Sequence, residues 1–248
     1  HSAAVHDEHW KINRIMECGM NMAKSEFEHQ ATVNMVLAGM RRDILLGKYK
    51  GRKGISEAEI AGKYQVSRSS VRVVCRTLIS DGLMIEKSNG RKEIVTVTEK
   101  YIEDLCQTRS ILECAACRII LERQNNDFLK LLSIVGKFYS DLQIEDREKR
   151  RYELVDSNDR FHKEIFAMTD NVTLIQCMHT IWPMISTIVF FNASLAPDLN
   201  EHGNYESHKK IAEMLMEKDP DVLEFVRYHS EEAAMTDVLR AIEQAKKE

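Results

Sequence analysis

Hydrophobic residues recur at helical spacing along most of this chain, and Gly and Pro are scarce (10 and 3 of 248 residues). Near the start, Val33, Leu37, Met40 and Ile44 follow one another three or four positions apart, which predicts a helix that Gly47 ends. The C-terminal part keeps the same period almost throughout. The pattern therefore predicts a mainly α-helical protein.

Two more short helices are predicted after this first one. Ser56 and Glu59 form a capping box, which opens a short helix. Ser67 is a suitable N-cap for another helix that runs to Ile79 or Ser80. The apolar stripe of this third helix consists of Val71, Val74, Cys75 and Leu78.

A β-hairpin is predicted next. Short apolar runs at residues 83–85 and 93–97 flank the turn signal Ser88-Asn89-Gly90. Three helices and a hairpin with basic residues at its tip are typical of a winged helix-turn-helix domain. We place this domain at residues 31–98, after an N-terminal extension at 1–30 and before a helical domain at 99–248.

The charge is unevenly distributed between these parts. Residues 32–98 hold 13 Lys and Arg against six acids, a net charge of +7, although the whole chain has a net charge of −4. The remaining residues therefore carry −11. This division indicates that the first domain meets a polyanion, whereas the overall charge would argue against one.

The third predicted helix carries the candidate DNA contacts. Arg68, Arg72 and Arg76 are spaced i, i+4, i+8 on one side of it. Such a helix fits the major groove, where arginine can bind the edge of a guanine, and basic residues of the wing reach phosphates. The alternative is a solvated helix face. The full predicted set is Arg68, Ser69, Ser70, Arg72, Arg76, Arg91 and Lys92.

These motifs resemble the N-terminal domain of GntR-family bacterial transcription regulators. The resemblance is carried by GKYKGRKGISEAEIA at 47–61, VSRSSVR at 66–72 and LISDGL at 78–83. The sequence departs from the family where Gly51-Arg52 replaces Pro-Gly and where Ala58 replaces a DNA-contacting Arg. In the wing, Lys92-Glu93 replaces Gly-Thr, and Glu93 disfavours phosphate. We therefore expect an operator preference that differs from that of typical members.

One charged residue interrupts the apolar stripe of the first helix in the C-terminal domain. Arg109 shares this stripe with Ile102, Leu105 and Leu112, and an unpaired buried guanidinium is costly. It either pairs with Glu113 one turn away or points into a cavity, where it would bind a ligand carboxylate.

Three histidines lie on apolar stripes of separate predicted helices. His162 shares a face with Asn158, His208 lies on a later helix, and His229 lies on a last helix that Asp219-Pro220 would start. They are either three satisfied core histidines or a converging site. Imidazoles suit Zn, Ni or Mn, with an oxygen ligand completing the set.

This second part resembles the C-terminal FCD effector domain of the FadR branch, with Asn158 to Ile165, Asp170-Asn171, Glu206 to His208 and His229 as matching segments. The resemblance implies an antiparallel bundle of about six helices around a cavity, as in the VanR-type variant. It further implies that Arg109, Asn158, His162, His208 and His229 line an effector pocket. Asn158, His162, His208 and His229 would hold a divalent metal there, but Asn158 replaces the usual Asp and should weaken metal binding.

The remaining features favour a cytoplasmic protein. The first 30 residues do not resemble a signal peptide, and the apolar stretch from Leu174 to Phe191 is interpreted as a buried helix, not a membrane span. The six cysteines do not form a disulfide framework, and Cys114 and Cys117 are expected to pack in the core.

The sequence thus predicts a homodimeric transcription regulator of a bacterium. Its partners would be double-stranded operator DNA and a small carboxylic acid effector, and it would not be an enzyme. Two alternatives remain: a metal-dependent enzyme that uses the three histidines, and a regulator whose helical domain has lost its metal.

Overall fold

A computed structural model describes residues 29–50, 52, 54–195 and 201–245. The predicted N-terminal extension, apart from its last two positions, lies outside the described residues. Helix α1 spans residues 29–45. The later elements are α2 (Glu57–Tyr64), α3 (Arg68–Ser80), β1 (Met84–Glu86), β2 (Lys92–Ile94), α4 (Glu99–Glu122), α5 (Leu129–Asp141), α6 (Arg147–Ala167), α7 (Val172–Leu195), α8 (Glu201–Glu217), α9 (Val222–Arg227), a π-helical segment (Tyr228–Ala233) and α10 (Ala234–Ala245).

Local signals define the helices of the N-terminal unit, as the sequence predicted. Gly47 adopts φ +71° two residues after the end of α1, and its N–H bonds the carbonyl of Ile44. Ser56 and Glu59 form the reciprocal capping box of α2, with the Ser56 N–H 2.9 Å from the Glu59 carboxylate. The Ser67 hydroxyl accepts from the N–H of Ser70 and caps α3.

The wing is an antiparallel hairpin with shorter strands than predicted. Met84 pairs with Ile94 and Glu86 with Lys92, and Gly90 supplies the positive φ of the turn. Ile55 forms a bridge to Lys92 and so adds a third, minimal strand. The second strand ends at Ile94, not Val97, although the Val95 N–H still bonds the carbonyl of Leu83. The Thr98 hydroxyl then caps the next helix.

The N-terminal unit does not have a core of its own. Its buried residues form one cluster with Ile102 of α4, Met184 and Ile188 of α7, and Val238 of α10. Met184 reaches to within 3.8 Å of the position of a Cβ atom at Gly82. The winged helix therefore packs directly against three helices of the C-terminal domain.

The C-terminal part is the predicted all-helical bundle. Because α9, the π-helical segment and α10 are continuous, the described residues form six helical rods. A second core cluster lies between them, with Ile120, Phe161, Phe166 and Leu215 completely or almost completely buried. The mainly α architecture, a winged helix followed by a helical bundle, is confirmed.

Helix α7 carries the long apolar stretch. By length and composition, Val172–Val189 could cross a membrane. However, Met178, Trp182 and Ile185 belong to the core of the bundle, and Met184 and Ile188 to the core shared with the winged helix. These contacts are those of a helix that packs between two parts of one protein.

One predicted helix start was wrong. The last rod begins at Val222 with Asp221 as its N-cap residue, not at Asp219-Pro220. The Asp219 carboxylate instead accepts the N–H of Asp221 at 2.9 Å, and the Val222 N–H bonds the carbonyl of Asp219. Asp219 and Pro220 thus form a turn that precedes the helix.

The cysteine pair on α4 packs as predicted. Cys117 is completely buried in the bundle core, and burial raises its pKa above the ordinary value. Cys114 donates to the carbonyl of Leu223, at a sulfur–oxygen distance of 3.4 Å. Both thiols act as small core side chains.

Candidate functional site

The three predicted histidines meet inside the bundle. His162 comes from α6, His208 from α8 and His229 from the π-helical segment. One nitrogen from each ring lies within 4.8 Å of the others, and the Nε2 atoms of His162 and His208 are 3.0 Å apart. His162 and His208 have no exposed surface. The structure thus brings together three histidines that the sequence could only place on three separate helices.

Glu113 on α4 orients one of these rings. Its Oε1 atom lies 3.0 Å from Nδ1 of His162, and its Oε2 atom accepts from the hydroxyl of Ser230. The Glu113 side chain is 2% exposed. Because an anionic carboxylate only accepts, His162 carries its proton on Nδ1 and turns the lone pair of Nε2 toward the other histidines.

Arg109 forms the ion pair with Glu113 that was one of the two interpretations of its position in the stripe. Its Nε atom bonds Oε1 of Glu113 at 2.9 Å, which is the i, i+4 ion pair. Its Nη2 atom points into the histidine cluster and lies 2.8 Å from Nε2 of His162. A buried guanidinium is therefore already part of the cluster.

The charges of the cluster balance. Burial alone would raise the pKa of Glu113, but the adjacent Arg109, His162 and Ser230 hold it well below its ordinary value. Burial lowers the pKa of His229 to about 3 and that of His208 well below its ordinary value, and neighbouring positive groups add to both effects. At neutral pH the site thus holds one ion pair and neutral imidazoles, the form that binds metals.

Several buried polar atoms near this cluster have no hydrogen-bond partner among the described residues. They are Nδ2 of Asn158, Nδ1 of His208 and Nε1 of Trp182. The Trp182 ring lies 5.5 Å from the His162 ring and 5.7 Å from the guanidinium carbon of Arg109. Since unsatisfied buried donors are costly, Nδ2 of Asn158 and Nε1 of Trp182 suit a ligand that supplies oxygen acceptors.

One pair of the three histidines is spaced as in a metal site, and the third ring has a nitrogen within 4.8 Å of both. Two nitrogens bonded to one zinc at about 2.0–2.1 Å each are about 3.3 Å apart in a tetrahedron, close to the 3.0 Å between His162 and His208. The contact of Glu113 with His162 is the carboxylate–histidine pairing that commonly supports such ligands. Asn158, one turn before His162, offers an amide where a carboxylate would complete the set.

The sequence interpretation missed two residues of the site, Trp182 and Ser230. Trp182 was counted only as part of an apolar stretch, although an aromatic residue beside Pro183 was a signal for a special position. Ser230 follows His229 directly, but an α-helical periodicity would turn it away from the cluster. The π-helical geometry of the segment brings both His229 and Ser230 into the site.

On the N-terminal unit, the three predicted arginines of α3 are exposed. Arg68 and Arg76 extend into solvent, and Nε of Arg72 lies 3.4 Å from Oε2 of Glu57 on α2. Ser69 is exposed as well. Ser70 differs: it is 2% exposed and its hydroxyl contacts Ser67 and His29, a position that suits the helix cap and not DNA.

The two predicted wing residues also differ from each other. Arg91 is exposed at the turn. Lys92 begins β2, and its side chain is 14% exposed and held by Glu57 and Glu86, at 3.2 and 3.4 Å. Lys92 therefore links α2 to the wing and is not a free cation at the tip.

Comparison with known proteins agrees with this architecture. Residues 104–232 match the FCD domain family, and they span the residues of the histidine cluster. The chain is also 23% identical over 206 residues to the uncharacterized HTH-type transcriptional regulator YdhC of Bacillus subtilis (strain 168), covering 81% of this chain and 83% of that protein.

Two solved structures share the fold. Lar of Listeria monocytogenes, which controls expression of the agr system and mediates virulence, superposes with a TM-score of 0.61 at 17% identity, over 84% of this chain and 96% of that chain. A protein described as transcriptional regulator GntR from Rhodococcus sp. RHA1 superposes with a TM-score of 0.54 at 17% identity, over 85% and 98%. The bundle and the matched domain thus agree: the chain belongs to the FCD-domain family, and it is similar to an HTH-type transcriptional regulator in sequence and to a GntR regulator in fold.

Proposed function

We propose that this regulator binds operator DNA as a homodimer in the bacterial cytoplasm, and that a small carboxylic acid bound in the three-histidine pocket controls it. A divalent cation (Zn, Ni or Mn) would be held beside the acid by His162, His208 and His229, with Asn158 as a weak fourth ligand. The observation that carries the effector pocket is the buried cluster of these histidines with Arg109.

The DNA interface would consist of the exposed side of α3 and the tip of the wing. Arg68, Arg72 and Arg76 extend from a helix of the length that enters a major groove, and Arg91 would reach a backbone phosphate. Ser69 at the start of α3 would add a phosphate contact. We leave Ser70 and Lys92 out of the interface, because the first is buried and the second is ion-paired.

The pocket would recognise a carboxylate by its donors. The guanidinium of Arg109 can bind both oxygens of a carboxylate, and Nδ2 of Asn158 is an unsatisfied donor close by in sequence to His162. Three neutral imidazoles would hold the cation, which would supply positive charge for the same anion. Because Asn158 is neutral where an acid would be negative, more of the positive charge of the cation would remain for the ligand.

Ligand binding would reach the DNA-binding unit through the last rod. His229 and Ser230 lie in its π-helical segment, and the same rod continues into α10, whose Val238 is buried in the core of the winged helix. A ligand that contacts His229 would therefore bias the position of a helix on which the DNA-binding unit packs. Two such positions with different operator affinities are what allosteric control requires.

Self-association would bring two winged helices to one operator. A single unit reads only a few base pairs, and two symmetric half-sites multiply specificity. Within the apolar window Val172–Val189 of α7, 33% of the positions are buried in the single chain. We place the contact with a second copy on the exposed, mostly polar positions of this window. Sedimentation measurements should give twice the mass of the chain, and a monomer at all concentrations would exclude this part of the proposal.

DNA binding is tested by gel shift on fragments of the organism's promoters. The expected result is a specific, salt-sensitive shift that Arg72→Ala abolishes. Arg118→Ala is the matched control, because Arg118 is an exposed arginine on α4, outside the winged helix. Binding without sequence preference at physiological salt would contradict the proposal.

The metal is tested by elemental analysis of the purified full chain. We expect close to one equivalent of zinc, nickel or manganese after loading, and its loss in His208→Ala. A metal content well below one ion per chain, unchanged in His208→Ala, would exclude the proposed metal site. In that case the second candidate applies, a regulator whose pocket binds the carboxylate through Arg109 and Asn158 alone.

A further inference from the structure

In this structure the nitrogen of His162 that would bind a cation is already occupied by a side chain of the same chain. Nη2 of Arg109 lies 2.8 Å from Nε2 of His162, and Nε2 of His208 lies 3.0 Å from the same atom. The arginine contact is the shorter of the two and is charge-assisted, so it is the stronger competitor for this nitrogen. Because Nδ1 of His162 is used by Glu113, Nε2 is the only ring nitrogen left for a metal. It has one lone pair in the plane of the ring.

We propose that Arg109 and a metal compete for this lone pair, so that the Arg109–His162 hydrogen bond and metal binding exclude each other. The inference rests on the metal site proposed above and adds a residue that controls its affinity. A lone pair shared with an N–H of guanidinium cannot also be given to a cation, and two positive groups at one nitrogen repel each other.

The rest of the cluster shows why this competition matters in the present chain. Among the described residues, Glu113 is the carboxylate in contact with the cluster, and its charge is balanced by Arg109, so no contacting carboxylate is left for a cation. With Asn158 in place of an acid, no carboxylate ligand compensates for displacing the arginine. The hydrogen bond from Arg109 therefore lowers metal affinity more than it would beside an acidic ligand.

The arginine also has a way to leave His162 without leaving the pocket. Its Nε atom is bonded to Oε1 of Glu113 at 2.9 Å, independently of the contact made by Nη2. Because the guanidinium is rigid and planar, Nη2 leaves His162 only by a shift of the whole group, during which Glu113 can remain its partner. The freed N–H groups would then face the pocket, where a carboxylate can accept them. The exposed fraction of Arg109 is 5%, so bulk water is not an alternative partner.

The test measures Zn²⁺ affinity of the full chain by competition with a chromophoric chelator, without any added carboxylate. Arg109→Met removes the competing hydrogen bond and keeps apolar bulk, and we expect the zinc affinity to increase roughly ten- to a hundredfold, the effect of one charge-assisted hydrogen bond. Arg118→Met is the control, since it removes an exposed arginine from the same helix. It should leave the affinity unchanged.

Removal of a positive charge alone would also favour zinc, and Arg109→Lys separates the two effects. Lysine keeps the charge but lacks the planar fork that reaches Glu113 and His162 together. We expect it to gain most of the affinity that Arg109→Met gains. If Arg109→Lys binds zinc like the original chain while Arg109→Met binds more tightly, the cause is charge and the competition for His162 is refuted.

Two further results would overturn the proposal. One is an unchanged or lower zinc affinity in Arg109→Met, with circular dichroism confirming a folded chain. The other is a crystal structure with zinc at the histidines in which Nη2 of Arg109 still contacts Nε2 of His162. If neither the original chain nor any variant binds zinc, both this proposal and the proposed metal site are refuted. The operator-binding proposal is judged separately by its gel shift.

Discussion

Glu57 at the start of α2 joins α3 to the wing through two cations. Its Oε2 atom lies 3.4 Å from Nε of Arg72, and its Oε1 atom lies 3.2 Å from Nζ of Lys92. The acid thus neutralises part of the positive surface that we propose for DNA binding. Arg72 keeps 63% of its side-chain surface exposed, so it remains accessible to a phosphate or base.

Replacing this acid should strengthen DNA binding. In Glu57→Gln, Arg72 is released from its ion pair and a negative charge near the phosphates is removed. We expect operator affinity to rise about two- to fivefold, since a partly exposed pair contributes up to about 1 kcal/mol. The slope of log affinity against log salt should steepen by about one. Fluorescence anisotropy at several salt concentrations measures both, with Glu103→Gln on α4 as the control. Unchanged or weaker binding would contradict the role assigned to Glu57.

The two basic residues of the wing should respond differently to alanine. Arg91→Ala removes an exposed side chain, so we expect operator affinity to fall about three- to tenfold, with stability unchanged within about 0.5 kcal/mol. Lys92→Ala breaks the contacts with Glu57 and Glu86, so it should lower the free energy of unfolding by about 1 kcal/mol. Anisotropy and urea unfolding of both variants check this contrast. Equal losses of affinity would show that Lys92 also contacts DNA.

Local signals in the sequence predicted most of the N-terminal unit. A capping box needs only the spacing of Ser56 and Glu59, and an N-cap only Ser67 before an amphipathic helix. The helix ends therefore lie where the sequence places them. Lys92 shows where this reasoning stops: its place in the chain suggested a wing tip, but its partners Glu57 and Glu86 come from other elements.

The sequence predicted which residues form the site in the bundle, but not which of them contact one another. Periodicity placed Arg109 and the histidines on apolar faces, and buried polar residues require partners. Which partners they find depends on packing between helices that are far apart in sequence, such as Ser230 with Glu113. The π-helical segment that brings His229 and Ser230 to one side has no simple sequence signal, because it departs from the period used to recognise helices.

Acid should weaken the N-terminal unit through Asp43. This carboxylate is 7% exposed and paired with Lys48 and Lys63. Burial alone would raise its pKa, but the two lysines outweigh burial and hold the pKa below its ordinary value. A depressed folded-state pKa stabilises the protein above the unfolded value of about 3.9, and this stabilisation is lost as pH falls through the folded value.

Asp43→Asn should therefore cost about 1–2 kcal/mol at neutral pH, and the difference from the original chain should shrink below about pH 4. Urea unfolding over a pH series measures it. Asp104→Asn is a suitable control, because Asp104 pairs with Lys100 on an exposed helix face and its loss should change stability by less than about 0.5 kcal/mol. A cost for Asp43→Asn that stays constant into acid would contradict the assignment.

The position of Met184 in the core shared by the winged helix and the bundle allows a prediction about stability. This residue of α7 is 3% exposed and packs with the buried residues of the N-terminal unit. Met184→Ala leaves a cavity there, so we expect a loss of about 2–5 kcal/mol in the free energy of unfolding. Met216→Ala, at a side chain 45% exposed on α8, should cost less than about 0.5 kcal/mol.

The same substitution should loosen the docking of the winged helix. Residues 95–98 join β2 to α4, and the packing of Met184, Ile188 and Val238 holds both sides of this connection together. Limited proteolysis should therefore cut Met184→Ala at 95–98 faster than the original chain or Met216→Ala. If Met184→Ala loses no more stability than Met216→Ala and is cut no faster, the two units do not depend on a common core, and the route from the pocket through α10 to the DNA-binding unit loses its physical basis.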